Sequence, residues 1–338
     1  MKKAVILGKC QAGLVDMPIP RPKEDWVLVK MHAVPMCTEY KAFVAGVKSN
    51  ALGHEGAGEV VDVAQPCGVE VGDRVVLMGA GPCGRCQYCR DGNFIHCQNR
   101  INYAEFTGSS ERTGAYAQYR LGAAWLLPKI PDGVSYEHAS MAWCGLGPTF
   151  GAFQSMGLTA YDTVLITGVG PVGLGGIVNA RFRGARVIVV ERVPWRVNRA
   201  KQMGVAAVLD PGEEGILEHI KDLTGGLGVD CALDCAGNVQ AERLCIDATR
   251  SKGKVAFVAE CGDELSIRVS PDMIRKGLTI IGQWHYSLND FPKIMKVIQE
   301  SPLLDLAISH VMPMSKVQEA LELSASHQCG KIILKPWE

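Results

Sequence analysis

The stretch that most restricts this chain runs Val164-Leu-Ile-Thr-Gly-Val-Gly-Pro-Val-Gly-Leu-Gly-Gly-Ile-Val. A β-branched apolar run ending at Thr167 meets Gly168, Gly170 and Gly173, and an apolar run of helical character follows to Arg181. Strand, glycine turn and helix, in that order, form the context that a G-x-G-x-x-G loop needs to hold a dinucleotide. Gly168 makes the tight turn, Gly170 lets a pyrophosphate approach the backbone, and Gly173 lets the helix pack close to the strand. Pro171 and Val172 open the helix, whose free N–H groups favour phosphate. The next strand, Arg186-Val-Ile-Val-Val-Glu191, ends in an acid about 20 residues beyond the glycines, where a carboxylate accepts the adenosine ribose hydroxyls. Glu191 repels a 2′-phosphate and favours NAD over NADP, while Arg192 and Arg196 are cationic neighbours that pull the other way. The alternative is a βαβ unit with an incidental glycine turn.

At 338 residues the chain suits two domains. Its 47% hydrophobic and 21% charged residues are ordinary for a globular protein. A formal net charge of +0 argues against nucleic acid or a membrane surface as a general partner. The start, Met1-Lys-Lys followed by a short apolar run, lacks a signal core, and no apolar run approaches a bilayer-spanning length. A cytoplasmic protein is expected. Thirteen cysteines, an odd number, then speak for metal ligands and free thiols over a disulfide framework.

The first part of the chain reads as short strands broken by glycines and by Pro18, Pro20 and Pro22. Cys37 and His54 each lie at the end of a β segment, a plausible pair of zinc ligands. Singly, the thiol also suits a small buried residue and the imidazole a hydrogen-bonded core position. Cys83, Cys86, Cys89 and Cys97 follow in a C-x2-C-x2-C-x7-C spacing. Four thiolates on one short loop close a tetrahedral site with no open position, the structural kind of zinc. Disulfides and an iron–sulfur cluster are the alternatives. His96 is adjacent and reads as a loop residue. From Ser135 to Phe153 the pattern becomes helical with Cys144 inside it, the natural third ligand if Cys37 and His54 hold a catalytic metal.

Beyond the glycine loop, strands and helices alternate regularly to Leu278-Thr-Ile-Ile-Gly, the pattern of a doubly wound parallel sheet. Cys231, Cys235 and Cys245 lie on its apolar elements as core filler. The tail, ending in the strand Lys331-Ile-Ile-Leu-Lys, is expected to return to the first domain. The expected division is 1–145 with 288–338, and 146–287.

Gly53-His54-Glu55-x-x-Gly58-x-Val60, Val71-Gly72-Asp73-Arg74-Val75, the four-cysteine lobe at about 81–100 and the glycine loop together resemble the zinc-containing medium-chain alcohol and polyol dehydrogenases, over essentially the whole length. The resemblance implies an α/β protein with a GroES-like β-rich catalytic domain and a Rossmann NAD-binding domain. It implies two zincs per subunit, one catalytic and one structural, and a homodimer or homotetramer built partly by sheet-to-sheet contact. It makes Cys37, His54 and Cys144 the catalytic zinc ligands. Glu55 matches a glutamate that sits at that metal and can replace its bound water. Cys83, Cys86, Cys89 and Cys97 match the structural site, and Arg196 matches an arginine that covers the adenine. One departure stands out. Relatives place a small hydroxyl residue two positions after the first cysteine, then an aspartate, then a histidine, whereas here Thr38, Glu39 and Tyr40 follow Cys37 at once. A one-residue deletion aligns Thr38 with the hydroxyl that passes the substrate proton and Glu39 with the acid that orients His54. The usual histidine relay is missing, which leaves Lys41 or the nicotinamide ribose for that role.

The implied reaction is zinc-assisted hydride transfer between NAD(H) and a small-molecule secondary alcohol or ketone. Trp143 and the Gln283-Trp284-His285-Tyr286 segment mix aromatic and polar groups, which suits a polyol, sugar or cyclitol; packing alone is the other reading. A simple aliphatic or aromatic alcohol is the alternative substrate. From another class, the alternative is a zinc-stabilised NAD-binding redox sensor without turnover.

Overall fold

The computed structural model describes residues 1–79, 81–108 and 114–338. They fall into two compact units, Met1–Gly145 with Ser287–Glu300 and Ile308–Glu338, and Leu146–Tyr286 with Ser301–Ala307. No helix among the described residues is long and apolar enough to cross a membrane.

The first unit opens with an antiparallel pair, β1 (Lys2–Gly8) and β2 (Gln11–Asp16). Its spine is β3 (Trp26–Pro35), followed by β4 (Gly56–Asp62), β5 (Arg74–Leu77) and β6 (Tyr119–Ala123). One edge of β3 pairs antiparallel with β4, and residues Trp26 to Lys30 pair with β6. Val27, Val29 and Met31 alternate along β3 and lie in one core with Val60, Val75 and Leu77. That period of two is what one buried sheet face requires. The proline-broken segment 17–22 makes no strand, since proline has no N–H for a ladder.

The second unit holds β7 (Thr163–Thr167), β8 (Arg186–Val190), β9 (Ala207–Leu209), β10 (Val229–Asp234), β11 (Thr249–Phe257) and β12 (Thr279–Gly282). All pair in parallel, in the order β12-β11-β10-β7-β8-β9. The order reverses at β7, so the loop after Thr167 occupies the switch point where doubly wound sheets bind ligands. Gly168 there has φ +76°, and a Cβ on it would lie 2.7 Å from the Ala236 Cα. A Cβ on Gly173 would lie 2.0 Å from the Gly168 carbonyl oxygen. Only glycine allows the turn and the close helix approach together.

The chain then returns. β13 (Ile308–Pro313) runs parallel to β14 (Lys331–Lys335), and β14 pairs antiparallel with Val34 and Pro35 at the far end of β3. Residues 301–307 differ from the expected division: helix Leu304–Ala307 buries Leu304 and Ala307 and packs on helix Pro171–Phe182 of the second unit. Three local readings also differ. The helical pattern around Cys144 is two helices, Tyr136–Ser140 and Gly147–Met156, because Gly145 and the Gly147-Pro148 pair break it. Cys144 sits in the turn between them. The apolar, alternating run Gly114-Ala-Tyr-Ala-Gln-Tyr-Arg-Leu has the look of one strand, yet β6 begins only at Tyr119, because Ala115 and Tyr116 donate their N–H groups to Gly53 and Leu52 instead. The strand Gln11–Asp16 has too irregular an apolar pattern to be read from sequence.

The loop geometry separates two alanine substitutions. Gly173→Ala lowers stability by about 1–3 kcal/mol in denaturant unfolding. Gly170→Ala, whose Cβ would come no nearer than 3.5 Å to its closest neighbour, the Arg196 guanidinium, stays within about 0.5 kcal/mol of the parent yet weakens dinucleotide binding. Equal stability losses would refute the packing argument.

Candidate catalytic and metal sites

Three segments of the first unit carry one cluster. Cys37 follows the end of β3, His54 and Glu55 immediately precede β4, and Cys144 lies in its turn. One ligand atom from each of Cys37, His54, Glu55 and Cys144 lies within 4.8 Å of the others. The His54 Nε2 is 3.1 Å from the Cys144 Sγ. Gly53, with φ +78°, turns the chain so that the imidazole reaches the sulfurs.

Behind the cluster, Glu39 addresses two of its members. Its Oε1 lies 3.1 Å from His54 Nδ1, and its Oε2 accepts the Cys37 N–H at 2.8 Å and the Tyr116 hydroxyl at 2.9 Å. Burial opposes the Glu39 charge, but the His54 bond and the Cys37 N–H hold its carboxyl down to about 2. With Nδ1–H given to a carboxylate, the imidazole presents the Nε2 lone pair to a metal. Burial and the Glu39 charge push Tyr116 well above the usual phenol range, so it remains a donor.

A second acid lies under the cluster. Glu55 Oε2 accepts the Cys144 N–H at 2.9 Å, and Oε1 pairs with Lys331 Nζ at 2.5 Å. Both side chains have 0% exposure, whereas His54 keeps 39% of its own, so the cluster is sealed on one side and open on the other. Burial works against the Lys331 charge, yet the Glu55 carboxylate and the Cys37 and Cys144 sulfurs outweigh it and raise the ammonium pKa. A hydrogen bond from Cys144 pulls the Cys37 thiol well below its usual range, against burial and with help from Lys331. Two sulfurs, one directed imidazole and an open side are a donor set that fits a catalytic zinc. Thr38 is exposed at the start of helix Glu39–Ala45 and makes no cap bond with its side chain. Lys331 and Tyr116 are the participants that sequence reasoning missed. A lysine within an otherwise apolar closing strand was the available signal for the first.

The lobe forms the second cluster. Helix Gln87–Arg90 and the 3-10 turn Phe94–His96 bring Cys83, Cys86, Cys89 and Cys97 together. Three sulfur separations are 3.5, 3.8 and 4.0 Å. Four thiolates at about 2.3 Å from one zinc lie about 3.8 Å apart, so the residues fit that ion. The Cys83 N–H points at Cys97 Sγ at 3.4 Å, a donor for sulfur charge. His96 lies outside the four-sulfur group. All thirteen cysteines are free, which leaves no disulfide framework.

In the second unit, Gly170 caps helix Pro171–Phe182, with Pro171 and Val172 in its first turn. Glu191 closes the loop: its Oε2 accepts the Val169 N–H at 2.8 Å, and its Oε1 accepts from Arg192 and Val193 at 2.8 and 3.0 Å. The Arg196 guanidinium lies 3.9 Å from Glu191 and faces Gly170, while the Arg192 side chain is exposed. The glycines, the helix start and the acid at the end of β8 therefore meet at one place, a fit for a dinucleotide.

The buried pair makes a stability prediction. Lys331→Met leaves the Glu55 charge unmatched and costs about 3–5 kcal/mol in denaturant unfolding, and Glu55→Gln in the same chain recovers most of that loss. No recovery in the double variant would show that Lys331 acts through packing instead.

Comparison with known proteins agrees with these sites. The alcohol dehydrogenase GroES-like domain matches residues 23–132, and the zinc-binding dehydrogenase domain matches residues 171–300. The chain is 32% identical to an uncharacterized zinc-type alcohol dehydrogenase-like protein of Escherichia coli (strain K12), over 99% of this chain and 98% of that protein. It is 30% identical to a sorbitol dehydrogenase of Bacillus subtilis (strain 168), over 99% and 97%, and 31% identical to an L-threonine 3-dehydrogenase of Pyrococcus furiosus, over 95% and 94%. Among solved structures, the alcohol dehydrogenase TADH from Thermus sp. ATN1 shares the fold with a TM-score of 0.89 at 23% identity, over 99% of both chains. The chain thus belongs to the zinc-containing medium-chain alcohol and polyol dehydrogenases, oxidoreductases that act on CH–OH donors with zinc and NAD(H).

Proposed function

We propose that this dehydrogenase interconverts a secondary alcohol and its ketone within a polyhydroxylated substrate, a polyol, sugar or cyclitol. The observation that carries the reading is the Cys37–His54–Cys144 donor set with its open side. The sorbitol dehydrogenase relative supports the polyol class. When bound, zinc supplies a Lewis acid for the substrate oxygen, and NAD(H) supplies the hydride acceptor or donor. Cys37 and Cys144 contribute sulfur donors and His54 its Nε2. Glu39 fixes the His54 tautomer, and Lys331 holds the Glu55 carboxylate beside the ligands. Thr38, exposed and without a cap bond, passes the substrate proton. Cys83, Cys86, Cys89 and Cys97 hold the structural zinc. Gly168, Gly170, Pro171, Val172 and Gly173 receive the dinucleotide, Glu191 selects NAD over NADP, and Arg192 and Arg196 flank the adenosine end.

Thirteen free cysteines support a reducing, cytoplasmic setting. A homodimer or homotetramer is supported by β12, which ends the second unit's sheet, and by Val269 and Ile274 of the preceding segment, which are exposed. Light scattering on the purified protein reads the assembly, and a monomer would remove that part of the proposal.

The deciding experiment is NAD reduction with a panel of polyols, sugars, cyclitols and simple alcohols, each with and without a zinc chelator. Chelator-sensitive turnover is expected on a polyhydroxylated substrate, and turnover confined to simple alcohols would reject that class. Cys37→Ala and His54→Ala abolish turnover and leave NAD binding, read by calorimetry, unchanged. Near-normal activity in either variant would sink the ligand assignment.

A further inference from the structure

We propose that Tyr116 is a positioning residue for the catalytic metal, acting through Glu39 on both Cys37 and His54. This rests on the reading of Cys37, His54 and Cys144 as the catalytic ligands. Tyr116 is 1% exposed and its hydroxyl ends on Glu39 Oε2, 2.9 Å away. That same oxygen accepts the Cys37 N–H at 2.8 Å, while the other oxygen lies 3.1 Å from His54 Nδ1. A buried carboxylate with two neighbours to serve has to be held in one rotamer, or it satisfies one at the expense of the other. The third donor supplies that constraint, since it leaves one orientation in which the Cys37 N–H, the Tyr116 hydroxyl and His54 Nδ1 are all met.

The phenol is itself fixed. Its backbone N–H goes to the Leu52 carbonyl at 2.9 Å, and its carbonyl accepts the Ala4 N–H at 2.8 Å. The ring lies against Gly53, where a Cβ would come within 2.3 Å of Tyr116 Cδ1. Gly53 is therefore glycine for two reasons: its φ of +78° turns the chain toward His54, and its missing side chain admits the ring that steers the acid behind His54. The residue departing from the aspartate of relatives, Glu39, is one methylene longer, and Tyr116 is the group that restrains the extra rotatable bond.

The test is a double-mutant cycle on metal binding, with Tyr116→Phe, Glu39→Gln and the pair. Zinc affinity is read by chelator competition, with the four-cysteine zinc as internal reference, and the coordination by the visible bands of the cobalt(II)-substituted protein. The parent is expected to hold two zincs, one of them labile. Tyr116→Phe keeps the ring against Gly53, weakens the labile zinc about tenfold and alters the cobalt bands, with the reference zinc unmoved. Glu39→Gln weakens the labile zinc at least as much, and adding Tyr116→Phe to it changes nothing further. Parent-like affinity and bands in Tyr116→Phe would overturn the proposal, as would a loss that adds in full to that of Glu39→Gln. A Phe variant that does not fold would assign the hydroxyl a structural role and likewise reject it. A parent that holds only the reference zinc would remove the catalytic-site reading together with this one.

Discussion

A lysine and a glutamate with no solvent contact, 276 residues apart in the chain, hold the catalytic end of the first unit together. Burying either charge alone is strongly unfavourable, so each residue is tolerable only because the other is present. Lys331 belongs to the closing strand and Glu55 to the entry of β4, so their pairing ties the last strand to the first sheet beside two candidate zinc ligands. The Cys144 N–H completes the carboxylate, which brings the turn between helices Tyr136–Ser140 and Gly147–Met156 into the same network. Three distant parts of the chain are thereby placed relative to one another by a single carboxylate.

A second carboxylate does comparable service on the other side of the ligands. Glu39 meets His54, Cys37 and Tyr116 at once. The two acids differ in what they settle. Glu55 is answered by a full positive charge and anchors strands. Glu39 is answered by hydrogen-bond donors and orients the imidazole of His54 and the backbone of Cys37, two candidate ligands. The candidate ligands are supported on loops and turns, Cys37 and His54 at the ends of β3 and β4 and Cys144 between two helices, and the acids behind them are held by hydrogen bonds.

What could be read from the sequence was what is local. The glycine loop, the acid after β8 and the four-cysteine spacing each lie within a short stretch, and their chemistry depends on that stretch alone. Cys37, His54 and Cys144 are far apart: residue type and place in the chain suggested them as a set, and the resemblance to a family made them the catalytic ligands. Glu39 was found the same way, through its place after Cys37. Tyr116 and Lys331 were missed because the partner of each is fixed by the tertiary fold, and the one local signal, a lysine in an apolar strand, does not say which acid it meets. The helical pattern across Cys144 failed for a related reason: the apolar residues there are buried all round, so periodicity carried no boundary, and Gly145 with Gly147-Pro148 decided the break.

The return of β13 and β14 to the first sheet has a consequence for how the chain is made. Synthesis delivers Leu146–Tyr286 as one continuous block, and only Ser301–Ala307 is needed to finish that unit. The unit that starts the chain is the last to be finished, because β3 waits for β14 and Glu55 waits for Lys331. A nascent chain therefore closes its dinucleotide-binding half first and carries an incomplete first sheet, with Glu55 unmatched, until β14 emerges. The four-cysteine lobe, complete in sequence by Cys97, is free to take its metal early, whereas the cluster around His54 reaches its final form only once Lys331 has been made.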